Sequence, residues 1–564
     1  MRTGTIGPWP RCDRSPIVDP VLMKPAPRAA RRPTTAVITS ALAAAALLFA
    51  LSGTSVLGAT TLAAACDGVN LRTGASTSYA IKTSVKTGTT ISVVATVTGG
   101  AWSSVCAGKA VAGSGWYRIS AVNGKTVSSL YGVTYVYGAT GLFKAVTVPP
   151  PPTPTPSPGS GPTTLGATVT FFGRGYGHGV GLSQSGAYGR ATAAQSAATI
   201  LAHYYPGTTL GTIPNAEIRV LVLSGWQAAA TSPLQLYGRS GTWTFDGIAK
   251  VFPADAHVRL IPTVSGTITT WTLVVDAVDG TNLYRAATSG NLRMRPSTSA
   301  TTLQLFSKPT IYDRYRGVLR IIIGAGAKVS VVNELPMEIY LRGVLPAEMS
   351  PSGPIEALKA QAVASRSYAA YRLHPTTGTY DVYDDTRSQV YRGALAEKTA
   401  TTAAVAATAT STGGHVLRYG TAIANTFYHS TGGGATESNQ NVWVSATGAI
   451  TSSPIPYLQG SPDRAPDGSS YDAAATYATW QTATYTLAQI QAFFAADTRT
   501  NVGSVVALDL SHRGVARLIS VTLIGANGTT TTVSADVFDA VFNAHRPAAD
   551  APIRSTLFAL APIP

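Results

Sequence analysis

Leu335 to Leu373 reads LPMEIYLRGVLPAEMSPSGPIEALKAQAVASRSYAAYRL. Its second half decides the fold class. From Pro354 to Leu373 the pattern predicts a helix. Pro354 suits a first turn, where its missing N–H is not needed. Leu358, Ala362 and Ala369 fall on one stripe, and the many alanines let a neighbour pack close. Outward from this helix, the short apolar runs IRVLVLSGW, TWTLVVDAV and GVLRIII read as strands. Further helices are expected over AAQSAATILAHYY, EKTATTAAVAATATSTGG, TLAQIQAFFAAD and ADVFDAVFNAHR. Gly413 or Gly414 would end the second of these and Ser534 would cap the last. Strands and helices do not alternate as βαβ units and no repeat is visible, so the expected class is α+β.

The first half of the stretch carries Glu348, between Pro346 and Pro351. This segment reads as too broken for helix or strand, which would leave the carboxylate on a turn facing a cleft. The nearby helix start would lower its pKa, so burial among apolar groups must prevail if it is to act as a general acid.

The chain has 564 residues, too many for one core of ordinary size. VPPPPTPTPSPGSGPTT, Val148 to Thr164, is a semi-rigid Pro/Thr/Ser linker. It sets the expected organisation: an N-terminal region 1–65, a small all-β domain 66–147, a linker 148–165 and a large mixed domain 166–564. Within the large domain, 210–330 is read as a β-rich insertion. In the small domain, VNLRTGASTSYAIKTSVKTGTTISVVATVTGGAWSSV alternates β-rich runs with Gly and Asn turns.

Charged residues make up only 12% of the chain, about half of ordinary usage, while hydrophobic residues make up 45%. The net charge of +16 favours acidic partners such as anionic wall polymers. No basic block interleaved with aromatics is found outside the extreme N-terminus, so nucleic acid is not an expected partner. Basic RAARRPTT followed by apolar Ala36–Leu51 and then small residues is the order of a signal peptide. Met23 is a candidate start, and the expected location is extracellular or wall-associated. Cys12 would leave with the signal. Cys66 and Cys106 remain as an even pair in an oxidising compartment, expected to form a disulfide; lipidation of Cys66 is not expected.

FFGRGYGHGVGLSQSGAYGRA, Phe171 to Ala191, places Tyr176, His178 and Gln184 among glycines. Such bare backbone can approach a flat, hydroxyl-rich polymer, with Tyr176 stacking on a sugar face and His178 and Gln184 hydrogen-bonding it. His429 and Ser430 sit before three glycines in ANTFYHSTGGGATES. No zinc spacing, cofactor motif, nucleophile elbow or nucleotide loop is present.

Four motifs together resemble the stage II sporulation protein D (SpoIID/LytB) family: the 335–373 stretch, YDVYDDTRSQVYRG, FYHSTGGGATES and the Gly-rich stretch. The resemblance covers most of 166–560. It implies a lytic transglycosylase cutting peptidoglycan glycan strands, with Glu348 as catalytic acid and Arg366 supporting it or the developing charge. It also implies Tyr368, His429, His178 and Gln184 as site residues. Some relatives are regarded instead as enhancers of a wall amidase, which is the alternative expectation; a glycan-binding adhesin is a third. In the family the Gly-rich signature closes the domain, whereas here it opens it, so the order looks circularly permuted. The small domain resembles a bacterial SH3-like wall-binding barrel through VNLRTGAST and GWYRI.

Overall fold

The computed structural model describes residues 60–123, 125–145, 161–374 and 376–563. The segment read as an export signal, Cys12, Met23 and most of the Pro-rich linker lie outside them. The chain divides into two compact units, one within Val21–Pro152 and the other containing Thr153–Pro564.

The small unit is an antiparallel sheet built on a long hairpin, Thr90–Cys106 with Lys109–Val122. Ala107 and Gly108 turn it, both at positive φ, as a two-residue hairpin turn of matching twist requires. Trp102 and Trp116 fill the core, and each indole N–H donates across the hairpin, to Gly115 O at 2.9 Å and Gly100 O at 2.8 Å. Thr60–Ala64 also pairs in this sheet. The unit therefore begins before Cys66, because this strand covers the edges of both Thr90–Cys106 and Phe143–Ala145. Cys66 and Cys106 are disulfide-bonded with Cα atoms 5.4 Å apart. The bridge spans 40 residues, so its reduction is expected to destabilise the unit by about 3–4 kcal/mol. Urea titrations with and without reductant would read this; coincident transitions would refute it.

The large unit is α+β. Thr163–Thr164, assigned to the linker from sequence, is a strand paired with Val505–Asp509, so the folded unit starts there. A seven-stranded sheet runs from Val251–Phe252 through Trp243–Phe245, Leu292–Pro296, Val318–Ile323, Lys328–Pro336 and Glu217–Gln227 to Val382–Tyr383. A six-stranded antiparallel sheet, Asn282–Thr288 to Arg314–Tyr315, accompanies it. Two strands of 210–330, Glu217–Gln227 and Val318–Ile323, flank Lys328–Pro336, which leads directly into the helix bearing Glu348.

The helix predicted over 354–373 forms as Ile355–Tyr371, with Pro354 as N-cap. It is buried on nearly all sides, and strand Gly413–Tyr419 packs on its alanines. The helix over 397–414 ends early, at Ala407, because Gly413 and Gly414 are committed to that strand. Gly414 could carry no side chain: a Cβ would lie 2.3 Å from Arg366 Nε.

The Gly-rich stretch returns to the far end of the chain. Phe172–Gly173 pairs with both Phe558–Ala559 and Trp480–Gln481. Phe171 is fully buried, edge-on to Phe538, Phe542 and Phe558 at 5.3–5.7 Å between centroids. Residues near 171 and near 558 therefore share one core, while Val180 and Leu182 of the same motif join the core of Val344, Leu345 and Met349.

Candidate active site around Glu348

Glu348 is the last residue of a helix, Met337–Glu348. The expectation of a broken segment is corrected here. Pro346 falls in the final turn, where a proline removes a single backbone bond. The Gly343 carbonyl of the same helix accepts from Arg392 N at 3.1 Å, which ties the helix to the 380–393 segment.

The carboxylate is held on several sides. Val390 N–H donates to Oε1 at 2.8 Å, and Gln184 Nε2 donates to Oε2 at 3.2 Å. The Tyr428 hydroxyl is nearby, accepting from Gln389 Nε2 at 2.9 Å, and the Glu348 charge helps to raise its pKa. Burial lifts the carboxyl above its ordinary range, while these three groups and the Arg392 charge pull the other way. The residue as a whole keeps a partly accessible face. A carboxyl with raised affinity for its proton and access to solvent can deliver that proton to a substrate. Among the described residues, none of the groups in contact with Glu348 is a second carboxylate.

Gln184 reaches this position because the Gly-rich stretch turns into an unpredicted helix, Gln184–Thr192. Ser183 caps it, accepting from Gly186 N and also from Gly432 N, both at 3.0 Å. One hydroxyl thereby joins the two glycine-rich segments. Leu182–Ser183 lies parallel to Tyr428–His429, which brings Tyr428 to the acid.

Several other residues occupy places different from those expected. Arg366 does not touch Glu348. It is fully buried, and its Nε and Nη2 each donate at 2.7 Å to Glu338, with Nη1 on the His415 carbonyl at 3.1 Å. This bidentate pair ties the two helices together, so Arg366 has no donor turned toward the acid. His178 Nδ1 accepts from Val180 N at 3.0 Å, which commits that nitrogen to backbone. Burial and the Arg517 charge push its pKa down to about 4, so the ring is neutral at ordinary pH. His429 is 4% exposed, with Nδ1 on Val180 O at 3.3 Å and its pKa depressed by burial. It lies beneath the loop rather than facing a ligand. Tyr368 is buried with the Arg372 guanidinium 3.3 Å from its ring centre, and its ring lies 6.0 Å from Tyr428. Ser430 is half-buried, its hydroxyl on Thr431 Oγ1 at 3.3 Å. Tyr176 is half-buried, edge-on to Tyr477 at 5.1 Å.

Val390, Gln389, Tyr428 and Arg392 were not singled out from sequence, although they stand in motifs that were. Arg517 gave no sequence signal. It is 1% exposed and donates to the Gly177 and Gly432 carbonyls at 2.9 and 3.3 Å. Burial brings its pKa down to about 10, opposed by Glu437, Asp536 and Asp472. Glu437 accepts from the backbone N–H groups of Val515, Ala516 and Arg517, each at 3.0 Å. This anchoring explains Gly179, at φ +84°, where a Cβ would lie 2.1 Å from Arg517 Nε. Gly179→Ala is expected to cost at least about 1–3 kcal/mol from backbone strain alone. Unchanged chemical denaturation would show that the loop does not need this approach.

Among the described residues, no group of three or more His, Cys, Asp or Glu is placed to hold a metal ion. No described helix is long and apolar enough to cross a membrane.

Fold and site define an α+β protein with a buried carboxyl on a partly exposed residue, Glu348, and a small β unit. Residues 325–419 match the family model described as "Stage II sporulation protein", and residues 67–139 match "Bacterial SH3 domain". The first match takes in the 335–373 stretch and YDVYDDTRSQVYRG, and the second takes in VNLRTGAST and GWYRI. It is 41% identical over 118 residues to the amidase enhancer of Bacillus subtilis, covering 21% of this chain and 14% of that protein. It is 39% identical over 132 residues to an uncharacterized protein of Brachyspira hyodysenteriae, covering 23% of this chain and 33% of that one. The matches thus span a third or less of the length of these relatives.

Proposed function

We propose that this is an extracellular, cell-wall-associated lytic transglycosylase that cleaves peptidoglycan glycan strands with formation of an anhydro sugar. The observation that carries this reading is the Glu348 carboxyl, lifted by burial and held by Val390 N–H and Gln184. Ordinary glycosidases need an acid together with a base or nucleophile. A transglycosylase manages with one group. Glu348 protonates the glycosidic oxygen as the bond to C1 breaks. The resulting carboxylate then takes the proton of the 6-hydroxyl, whose oxygen closes on C1. Intramolecular attack supplies a large proximity advantage. In this reading the Gly-rich segment, first in the chain and paired with its end, stands in permuted order. Mass spectrometry of products released from denuded glycan is the test. Anhydro ends are expected; their absence where the protein binds glycan would remove the reading.

The amidase enhancer among the relatives favours a second reading: a wall-binding partner that stimulates an N-acetylmuramoyl-L-alanine amidase. That reading predicts wall breakdown only when an amidase is added. In both, the small β unit retains the protein on the wall. The isolated unit, residues 60–145, is expected to sediment with purified walls, and its staying in the supernatant would contradict the assignment.

A further inference from the structure

Neither reading gives a role to Arg372, the C-cap of the Ile355–Tyr371 helix. Its guanidinium lies 3.3 Å from the centre of the Tyr368 ring and 5.4 Å from that of Phe427. Nη1 donates to the Tyr368 carbonyl at 3.0 Å and to Asn425 Oδ1 at 2.9 Å. These bonds use both Nη1 protons and fix the plane of the group. Nε and Nη2 make no hydrogen bond to a described residue, and neither is sealed from solvent. Together they form the edge of a guanidinium that grips a carboxylate through two parallel N–H···O bonds. No carboxylate among the described residues pairs with this cation, and burial pushes its pKa down. It stays charged at any ordinary pH, so it carries a desolvation cost that an anion from outside would relieve. Aromatic rings surround it. Tyr371 is 54% exposed and 5.9 Å from the guanidinium, and Phe427 lies 4.4 Å from Trp443, both partly exposed. The group belongs to the Glu348 neighbourhood. Tyr368 is 6.0 Å from Tyr428, whose hydroxyl accepts from Gln389, and Val390, next in the chain, donates to Glu348. Trp443 and Phe427 also lie 5.8 and 6.2 Å from His178 of the Gly-rich stretch.

We propose that Arg372 is a specificity-determining residue that binds a carboxylate of the glycan substrate through its Nε–Nη2 edge. This deepens the peptidoglycan reading and rests on it for the identity of the polymer. That polymer carries carboxylates in two places: on the lactyl ether of a muramic acid ring that bears no stem peptide, and on the stem peptide itself. Both present the same planar acceptor. An alcohol or ester in its place carries no charge and forfeits the charge-assisted pair of bonds, so the site discriminates by the state of the carboxyl. The contact lies away from the reacting atoms. Its binding energy therefore sets the register of the strand, and with it which glycosidic oxygen meets Glu348.

The test is calorimetric titration of the full chain carrying Glu348→Gln, the parent in every arm, so that no ligand is consumed. The ligands form two pairs. One is glycan oligomers freed of stem peptide, with and without reduction of their carboxyls to alcohols. The other is oligomers that keep the stem peptide, with and without methyl-esterification of its carboxyls. Removing the charge is expected to weaken binding about tenfold or more in at least one pair, as loss of hydrogen bonds between charged partners implies. The pair that responds identifies the source of the carboxylate. Arg372→Met should weaken binding of the charged member of that pair by the same factor and leave the uncharged member unchanged. Arg372→Lys should fall between, since an ammonium keeps the charge but not the fork. The small β unit is the same in every arm. Equal affinity within both pairs overturns the proposal, as does a folded Arg372→Met that keeps the parent's preference. If Arg372→Met does not fold, an undiminished preference in Arg372→Lys overturns it equally. The reaction reading is judged separately, with Glu348 intact. Carboxylate-dependent binding through Arg372 without anhydro product supports the proposal while the reaction reading fails; product with binding indifferent to the carboxyl does the reverse.

Discussion

Glu348→Gln is expected to abolish formation of anhydro product while leaving glycan binding nearly unchanged. The swap keeps the shape of the side chain but removes the transferable proton. General acid–base assistance is typically worth about 10²–10⁴-fold in rate. One group here serves both halves of the reaction, so the loss should lie at or beyond the top of that range. Product analysis on denuded glycan measures it, and undiminished product from folded protein would remove Glu348 from the mechanism. The same variant carries a stability signature. Because burial lifts the folded-state pKa of Glu348, the folded protein binds this proton more tightly than the unfolded chain. Stability from this group is present below the ordinary glutamate pKa and is lost as pH rises through the lifted value. Glu348→Gln should lack that segment of the pH dependence.

Arg366→Ala is expected to destabilise the large unit by about 3–5 kcal/mol, the usual cost of removing one member of a buried ion pair. Glu338, with its side chain 13% exposed, would lose both guanidinium bonds, and the His415 carbonyl would lose a donor. The consequence should be thermal and chemical instability, with residual activity tracking the folded fraction at each temperature. A variant of unchanged stability whose turnover nevertheless falls would instead return Arg366 to a direct role in the chemistry. Arg366→Lys should recover only part of the loss, since an ammonium cannot reproduce the bidentate geometry.

These two residues show where sequence reading succeeds and where it stops. Both stand in one recognisable stretch, and from residue types alone both look chemical. The helix from Pro354 onward was legible because its signals are local: a proline tolerated in the first turn, alanines on the packing face, an apolar stripe at helical spacing. The two-module organisation was legible for the same kind of reason, since a proline-rich run interrupts both patterns. The helix around Glu348 was not, because Pro346 is a breaker on its own and a helix-ending residue only when its position in the turn is known. The short helix at Gln184 was missed because glycines hid it, and only the Ser183 cap and its bond to Gly432 reveal it.

The sequence by itself determined the classes of structure and the two-unit division, and it singled out Glu348 as the candidate carboxyl, because each is written in neighbouring residues. Tertiary structure alone decided the partners. Gln184 meets Glu348 across 164 residues of chain, and Arg366 turns to Glu338 rather than to Glu348. His178 commits Nδ1 to Val180 N–H, and Tyr428 comes to the Glu348 side of the fold through a parallel pairing with Leu182–Ser183. Proton affinity was decided there as well, since it depends on how much water is excluded and which dipoles replace it. Neither quantity is carried by residue type or spacing; both arise only when segments distant in sequence close on one another.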